Sequence, residues 1–154
     1  MTPDPVSDGR SLVLATRNPH KVAEMQRLFE PAGITIEPLA DDVELPPEDG
    51  TTFADNALPK ALAAAAATGR PAIADDSGIE AAALGGAPSV RSARYAGADA
   101  TDEENLVKFE AEVPPDSRLR YVCALAYVNP ETGEERIFFG DCRGRMARER
   151  RGSG

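Results

Sequence analysis

The sequence predicts an α/β fold, with a mixed, strongly twisted sheet and helices on its faces. An early strand that is apolar on both faces predicts a central position in the sheet. Helical patterns with N-terminal caps follow it, and two strand-like segments flank a turn near the end of the chain. At 154 residues the chain is long enough to bury a sizeable core in one domain. We place that domain at residues 11–154, after a flexible lead-in over residues 1–10.

The first elements follow from short local patterns. Residues 11–16 form an apolar run and predict the first strand. Asn18 is a typical helix N-cap and Pro19 suits the first helical position, so a helix should begin here and end at the Pro-Ala-Gly sequence of residues 31–33. Residues 34–39 then predict a second strand.

A second helix is predicted from its cap, Thr52, to Thr68, after an acidic loop over residues 41–50. Its alanine-rich second half has a high helix propensity, and Gly69 suits the end of a helix. Pro59 conflicts with this pattern, because proline inside a helix removes a backbone hydrogen bond and costs ~3 kcal/mol unless the helix kinks.

The second half of the chain predicts a buried strand, a turn, a short helix and a hairpin. The apolar run at residues 72–74 predicts the strand, and the Asp-Asp-Ser-Gly sequence of residues 75–78 predicts a turn at its end. Thr101 with Glu104 three residues later is the pattern of a capping box at a helix start. Strand-like segments on both sides of residues 129–133 predict a hairpin with a longer loop.

Composition and charge argue against several classes of function. Seventeen basic and 26 acidic residues give a net charge of −9, whereas general nucleic-acid binding requires a positive surface. No apolar run is long enough for a membrane span and no signal peptide is evident, so we expect a cytoplasmic protein without a membrane partner. Cys123 and Cys142 lack a CxxC or metal-ligand spacing and are expected to be reduced thiols.

Asp75 and Asp76 are the first candidates for chemistry. Two adjacent carboxylates repel each other, and a divalent metal ion would explain why both are present, since hard cations prefer oxygen ligands. In a turn the two side chains could converge, whereas in an extended strand they would point to opposite sides. The alternative is an Asp-rich turn with solvated carboxylates that bond locally to the backbone.

A possible phosphate site lies where the first strand passes into the first helix. The N-terminus of that helix presents free backbone N–H groups and the positive end of the helix dipole. Thr16 and Asn18 add side-chain hydrogen bonds, and Lys21 adds a positive charge. The alternative is an ordinary capped helix with a surface lysine.

Glu48, Asn56 and Lys60 form another candidate group. Asn56 and Lys60 are four residues apart and therefore share one face of the second helix. Glu48 precedes that helix and could reach over its N-terminal end, so that a carboxylate and a lysine would converge near the two aspartates. The alternative for each residue is a solvated surface group.

Taken together, these stretches resemble the inosine triphosphate pyrophosphatase (Ham1-like) family. The opening Thr-x-Asn-x-x-Lys motif corresponds to residues 16–21, and the Thr-Phe-x-x-Asn-Ala-x-x-Lys-Ala motif to residues 52–61. The Ala-Asp-Asp-Ser-Gly signature is at residues 74–78. Two further motifs, at residues 84–88 and 92–97, follow in the same order along the chain.

The resemblance implies a Mg²⁺-dependent hydrolase that converts a nucleoside triphosphate to the monophosphate and pyrophosphate. The preferred substrates in the family are deaminated purines, so ITP, XTP and dITP, which such enzymes remove from the nucleotide pool. The implied catalytic residues are Asp75 and Asp76, and the implied metal ligands are Glu48 and Asp76. Asp75 would activate the attacking water, although the division of roles between the aspartates stays open. The implied substrate-binding residues are Thr16, Arg17, Asn18, Lys21, Lys60 and Ser77.

The resemblance also implies two lobes about a central cleft and a homodimer. The chain ends inside a motif that continues in the family as Gly-Phe-Gly-Tyr-Asp-Pro, and it is therefore expected to lack a C-terminal part that recognises the base. This leaves two other hypotheses: an inactive nucleotide- or metal-binding member of the family, and another phosphohydrolase with two carboxylates.

Overall fold

The computed structural model describes residues 10–152, which contain five strands and three α-helices. Apart from Arg10, the predicted lead-in lies outside the described residues. The elements are, in chain order, β1 (Ser11–Leu14), α1 (Pro19–Phe29), β2 (Thr35–Pro38), α2 (Phe53–Thr68), β3 (Ala72–Ala81), α3 (Asp102–Glu112), β4 (Arg118–Asn129) and β5 (Glu134–Arg145). Short 3₁₀ segments occur at Glu30–Ala32, Ala82–Leu84 and Ser89–Arg94.

The strands form a sheet in the order β2-β1-β3-β4-β5. Strand β1 is parallel to both of its neighbours, with Leu12 opposite Ile36 of β2 and Leu14 opposite Ile73 of β3. Strands β4 and β5 are joined by only four residues, a length that permits an antiparallel pair alone. The predicted mixed sheet with flanking helices, and the central place of β1, are therefore confirmed.

The chain divides into two compact units. The first comprises the residues up to Asp49, Ala54–Asp75 and Leu125–Phe138, and the second comprises Gly50–Phe53, Asp76–Ala124 and the residues from Phe139 onward. The boundary within β3 falls between the two adjacent aspartates. The arrangement of two lobes about a cleft stays a prediction.

The core of the first unit explains why α2 is rich in alanine. Ala57, Ala61 and Ala64 are completely buried and recur at helical spacing, and they belong to the same apolar cluster as Val13 of β1 and Ala72 of β3. Small side chains allow the helix to approach the strands closely. A separate cluster contains Leu14 and Ile73 together with Met25 of α1, so β1 is buried on both faces as predicted.

The predicted helix boundaries are largely confirmed. Asn18 caps α1 and Pro19 is its first residue, and Gly33 follows the end of the helix with a φ of 71°. Helix α2 continues through Pro59 as a single helix of 16 residues. Gly69 follows it with a φ of 67°, and its N–H donates to the Ala65 carbonyl at 2.8 Å.

The core of the second unit is smaller. Phe109 and Val113 at the C-terminal end of α3 are buried with Ala81 of β3, and Tyr95 packs against them. Thr101 caps α3 through the predicted capping box. Among the helices within residues 10–152, none combines the length and apolar character needed to cross a membrane.

The prediction of a turn at residues 75–78 is wrong, because β3 continues without interruption to Ala81. The apolar run ends at Ala74, but polar side chains can remain in a strand when the fold provides partners for them. Asp75 is buried and Asp76 is half-buried, and consecutive strand residues point to opposite faces of a sheet. The two carboxylates therefore do not converge as they could in a turn.

Candidate active site

The polar groups that follow β1 organise the start of α1. The strand ends at Leu14, two residues earlier than predicted, where the Thr16 N–H turns back to the Leu14 carbonyl at 2.9 Å. The Thr16 hydroxyl accepts a hydrogen bond from the Asn18 N–H at 3.2 Å. The Asn18 side chain in turn accepts from the His20 N–H at 2.9 Å. These bonds fix the N-terminus of α1, whose dipole favours negative charge.

Lys21, in the first turn of α1, reaches the candidate aspartate of β3. Its ammonium group lies 2.7 Å from Oδ2 of Asp75. The Asp75 side chain is only 7% exposed, and a carboxylate so deeply buried requires a charged or hydrogen-bonding partner. Lys21 supplies that partner from 54 residues earlier in the chain.

Lys60 of α2 joins the same group of charges from a second direction. Its ammonium group donates to Oε1 of Glu48 at 2.5 Å and to the backbone carbonyl of Asp75 at 2.7 Å. The Lys60 side chain is 11% exposed, whereas that of Glu48 is 42% exposed. Asn56, one turn earlier in α2, is buried with only 3% exposure. The first unit therefore brings Lys21, Asp75, Lys60 and Glu48 together through direct contacts.

Arg17 makes contacts of a different kind. Its guanidinium donates to the backbone carbonyls of Ala40, at 2.7 Å, and Val43. It also lies 4.0 Å from the exposed carboxylate of Asp41. These contacts hold the segment that follows β2 against the start of α1.

Asp76 and Ser77 belong to the second unit. The Ser77 hydroxyl lies 3.4 Å from the hydroxyl of Tyr121, which is on β4 and is 53% exposed. Sequence reasoning did not identify Tyr121. The pattern around it predicts only a strand, and the contact becomes visible only when β4 is placed beside β3 in the sheet.

The carboxylates of the candidate site are suited to a metal ion that the substrate also binds. Within residues 10–152, no three His, Cys, Asp or Glu side chains lie close enough together to hold a metal by themselves. Mg²⁺ in nucleotide sites is commonly bound by one or two carboxylates together with phosphate oxygens of the substrate. Glu48 and Asp76, the two ligands that the family resemblance implies, are both carboxylates. Their chemistry and number fit that kind of site.

The protein therefore has an α/β fold with a polar site in its first unit. Two lysines and two carboxylates come together there, beside strand β3 and the capped N-terminus of α1. Such a set suits the binding of phosphate groups with a divalent cation. The comparison with known families agrees with this class. The chain belongs to the Ham1 family, whose sequence model matches residues 12–154.

Individual relatives align over most of their length. A protein from Symbiobacterium thermophilum named dITP/XTP pyrophosphatase is 47% identical over 147 residues, which cover 94% of this chain and 74% of the relative. A protein of the same name from Yersinia pseudotuberculosis is 43% identical over 94% of this chain and 76% of its own length. The solved structure of a HAM1 protein from Coxiella burnetii matches with a TM-score of 0.80 and 41% identity, over 94% of this chain and 76% of that one.

Proposed function

We propose that this chain hydrolyses deaminated purine nucleoside triphosphates, ITP, XTP and dITP, to the monophosphate and pyrophosphate. The observation that carries the proposal is its identity of 43–47% with relatives named dITP/XTP pyrophosphatases, over 94% of the chain. The lysine and carboxylate contacts in the first unit support it, because hydrolysis of a phosphoanhydride bond is favoured by cationic groups that bind the phosphates and by a carboxylate that accepts a proton from water.

Lys21 and Lys60 would bind the phosphates of the substrate. Each ammonium group is held by a carboxylate or carbonyl oxygen at 2.5–2.7 Å, so its position is fixed before the substrate arrives. The phosphate oxygens of a bound triphosphate would replace these oxygens and would pair with the same ammonium groups. Thr16, Arg17 and Asn18 would complete the phosphate site at the N-terminus of α1.

Glu48 and Asp76 are the proposed ligands of Mg²⁺. When bound, Mg²⁺ would neutralise charge that develops on the phosphate oxygens and on the leaving pyrophosphate. Glu48 would leave Lys60 for the metal, and Lys60 would then be available for phosphate. Ser77 would contact the substrate.

Asp75 is the proposed base. A water oxygen forms a new bond to the α-phosphorus, the bond from that phosphorus to the bridging oxygen breaks, and its electron pair leaves with pyrophosphate. The Asp75 carboxylate takes the proton of the water. Its burial restricts its orientation, which favours a defined position for the water.

The test is the release of pyrophosphate from ITP, XTP, dITP and ATP, with and without Mg²⁺. We expect Mg²⁺-dependent release from the first three that is much faster than from ATP. Asp75→Asn should abolish it, and Asp99→Asn, which makes the same change at an exposed position, should not. Orthophosphate as the product, or no turnover by the folded chain, would contradict the proposal.

Two further proposals concern the assembly of the protein, for which the family resemblance implies a homodimer, and its location in the cell. We propose that the protein is a homodimer and that it works in the cytoplasm. Light scattering coupled to gel filtration tests the first, with twice the mass of 16.3 kDa as the expected result.

A further inference from the structure

A groove in the second unit has a concentration of positive charge that contrasts with the acidic chain. Its volume is about 530 Å³, within the range typical of small-molecule sites. Four arginines line it, and Glu80 is the one carboxylate among its lining residues. The arginines are Arg118, Arg120, Arg143 and Arg145. The groove therefore has an excess of positive charge in a protein whose net charge is −9.

The strand positions of these arginines place them together. Arg118 and Arg120 are two residues apart on β4, and Arg143 and Arg145 are two residues apart on β5, so each pair shares one face of its strand. The two strands are neighbours in the sheet. Four positive charges that line one groove repel each other. An anion in the groove would relieve that repulsion.

Three of the guanidinium groups have contacts within the unit, and the longest is that of Arg143, whose Nε lies 3.5 Å from Oδ2 of Asp141. Nε and Nη2 of Arg120 both donate to Oε2 of Glu80, at 3.1 and 2.8 Å. Nη1 of Arg145 donates to the Asp116 carbonyl at 2.9 Å. Each guanidinium has five N–H donors, so all three groups retain donors for a ligand. Within the described part of the chain, Arg118 has no side-chain hydrogen bond or ion pair.

We propose that this groove binds a polyphosphate chain, either free as pyrophosphate or carried by a nucleotide. Guanidinium groups match pairs of phosphate oxygens in a bidentate geometry, and the negative charge of phosphate complements the excess of positive charge in the groove. A long nucleic acid would also meet the acidic remainder of the surface, whereas a small anion meets only the groove. The groove shares no residue with the Lys21 and Lys60 cluster of the first unit, so it would be a second anion site.

Isothermal titration calorimetry with inorganic pyrophosphate tests this proposal on the whole chain, in metal-free buffer of low ionic strength. The double variant Arg118→Gln/Arg143→Gln removes the two arginines that are least involved in internal contacts. Arg136→Gln is the control, since it removes one arginine charge from β5 at an exposed position outside the groove. Circular dichroism verifies that each variant is folded.

We expect the double variant to lose one pyrophosphate per chain, or to bind it at least tenfold more weakly, while the control behaves as the unmodified chain. The same loss with ITP would identify the triphosphate of a nucleotide as a source of the ligand, and loss with pyrophosphate alone would identify the free anion. Inosine, which has no phosphate, should not bind to the groove. Equal stoichiometry and affinity in the unmodified chain and the double variant, or an equal loss in Arg136→Gln, would overturn the proposal.

Discussion

Gly78, the glycine of the Asp-Asp-Ser-Gly signature, is predicted to be intolerant of even a methyl group. A Cβ atom built on it would lie 2.6 Å from the Ser92 hydroxyl oxygen and 3.0 Å from a ring carbon of Phe53, and closer still to the Ser89 carbonyl. Ser92 cannot move away easily, because it accepts from the Ile79 N–H at 2.9 Å and donates to the Ser89 carbonyl at 2.6 Å.

The expected cost of Gly78→Ala follows from these contacts. Overpacking typically costs ~1–3 kcal/mol, and each disturbed hydrogen bond adds about 1 kcal/mol. We therefore expect the free energy of unfolding to fall by about 3 kcal/mol, which corresponds to a decrease in Tm of roughly 6–12 °C for a chain of this size. Urea unfolding followed by circular dichroism measures the first quantity, and a thermal melt measures the second.

Gly140→Ala is the control for this experiment. Gly140 also lies in a strand, but a Cβ atom there would have no neighbour within 4 Å. Alanine restricts the unfolded chain, so this variant should be neutral or more stable by about 0.4–1 kcal/mol. If Gly78→Ala melts within about 2 °C of Gly140→Ala, the close approach inferred for β3 is refuted.

Three further predictions concern charge, capping and pH. Lys60→Met should lower kcat for ITP by a factor of about 10²–10³, measured by pyrophosphate release. It should also lower the free energy of unfolding by about 1–2 kcal/mol, measured by urea unfolding. An unchanged kcat would contradict the proposed role of Lys60. Thr101→Ala should cost about 1 kcal/mol in the same unfolding assay, because its hydroxyl accepts from the Glu104 N–H at 3.1 Å. The hydrogen bond to Glu112 raises the pKa of Tyr95, with burial and the charge of that carboxylate adding to the effect. The stability this gives is fully present below the ordinary tyrosine pKa of about 10 and is lost as the pH rises through the higher value of the folded chain. Titration of tyrosinate absorbance should show Glu112→Gln lowering that pKa, and an unshifted titration would refute the link.

Local patterns were sufficient for much of the fold. The cap at Asn18, the capping box at Thr101 and the left-handed glycine after α2 depend on residues within a few positions of each other, and all three were predictable for that reason. The apolar run of β1 predicted its central place, because only a strand covered on both faces can be apolar throughout.

The course of β3 could not be predicted in the same way. Asp-Asp-Ser-Gly has the composition of a turn, and nothing within a few residues indicates otherwise. The strand persists because of distant residues: Lys21 provides a partner for the buried Asp75, and Ser89 and Ser92 close on Gly78 so that only a glycine fits. In this stretch tertiary contacts override local preference, and the stretch is also where the candidate site lies.

The contacts of the site separate into those a sequence could indicate and those it could not. The spacing of Asn56 and Lys60 on one helical face, with Glu48 ahead of the helix, predicted that lysine and carboxylate would meet, and they lie 2.5 Å apart. The Lys21–Asp75 pair spans 54 residues and has no local pattern. The roles of all these residues in catalysis stay predictions.

The pairing of lysines with carboxylates has a consequence for how metal and substrate would bind. On the proposed assignment, a triphosphate alone must displace Glu48 and Asp75 from the lysines, which leaves a half-exposed and a buried carboxylate beside new negative charge. A divalent cation alone must compete for Glu48 with the ammonium group of Lys60, which lies 2.5 Å away. When both bind together, the phosphates pair with Lys60 while the cation pairs with Glu48, so neither of these two groups loses its partner. Binding of each should therefore strengthen binding of the other by the same factor, as thermodynamic linkage requires.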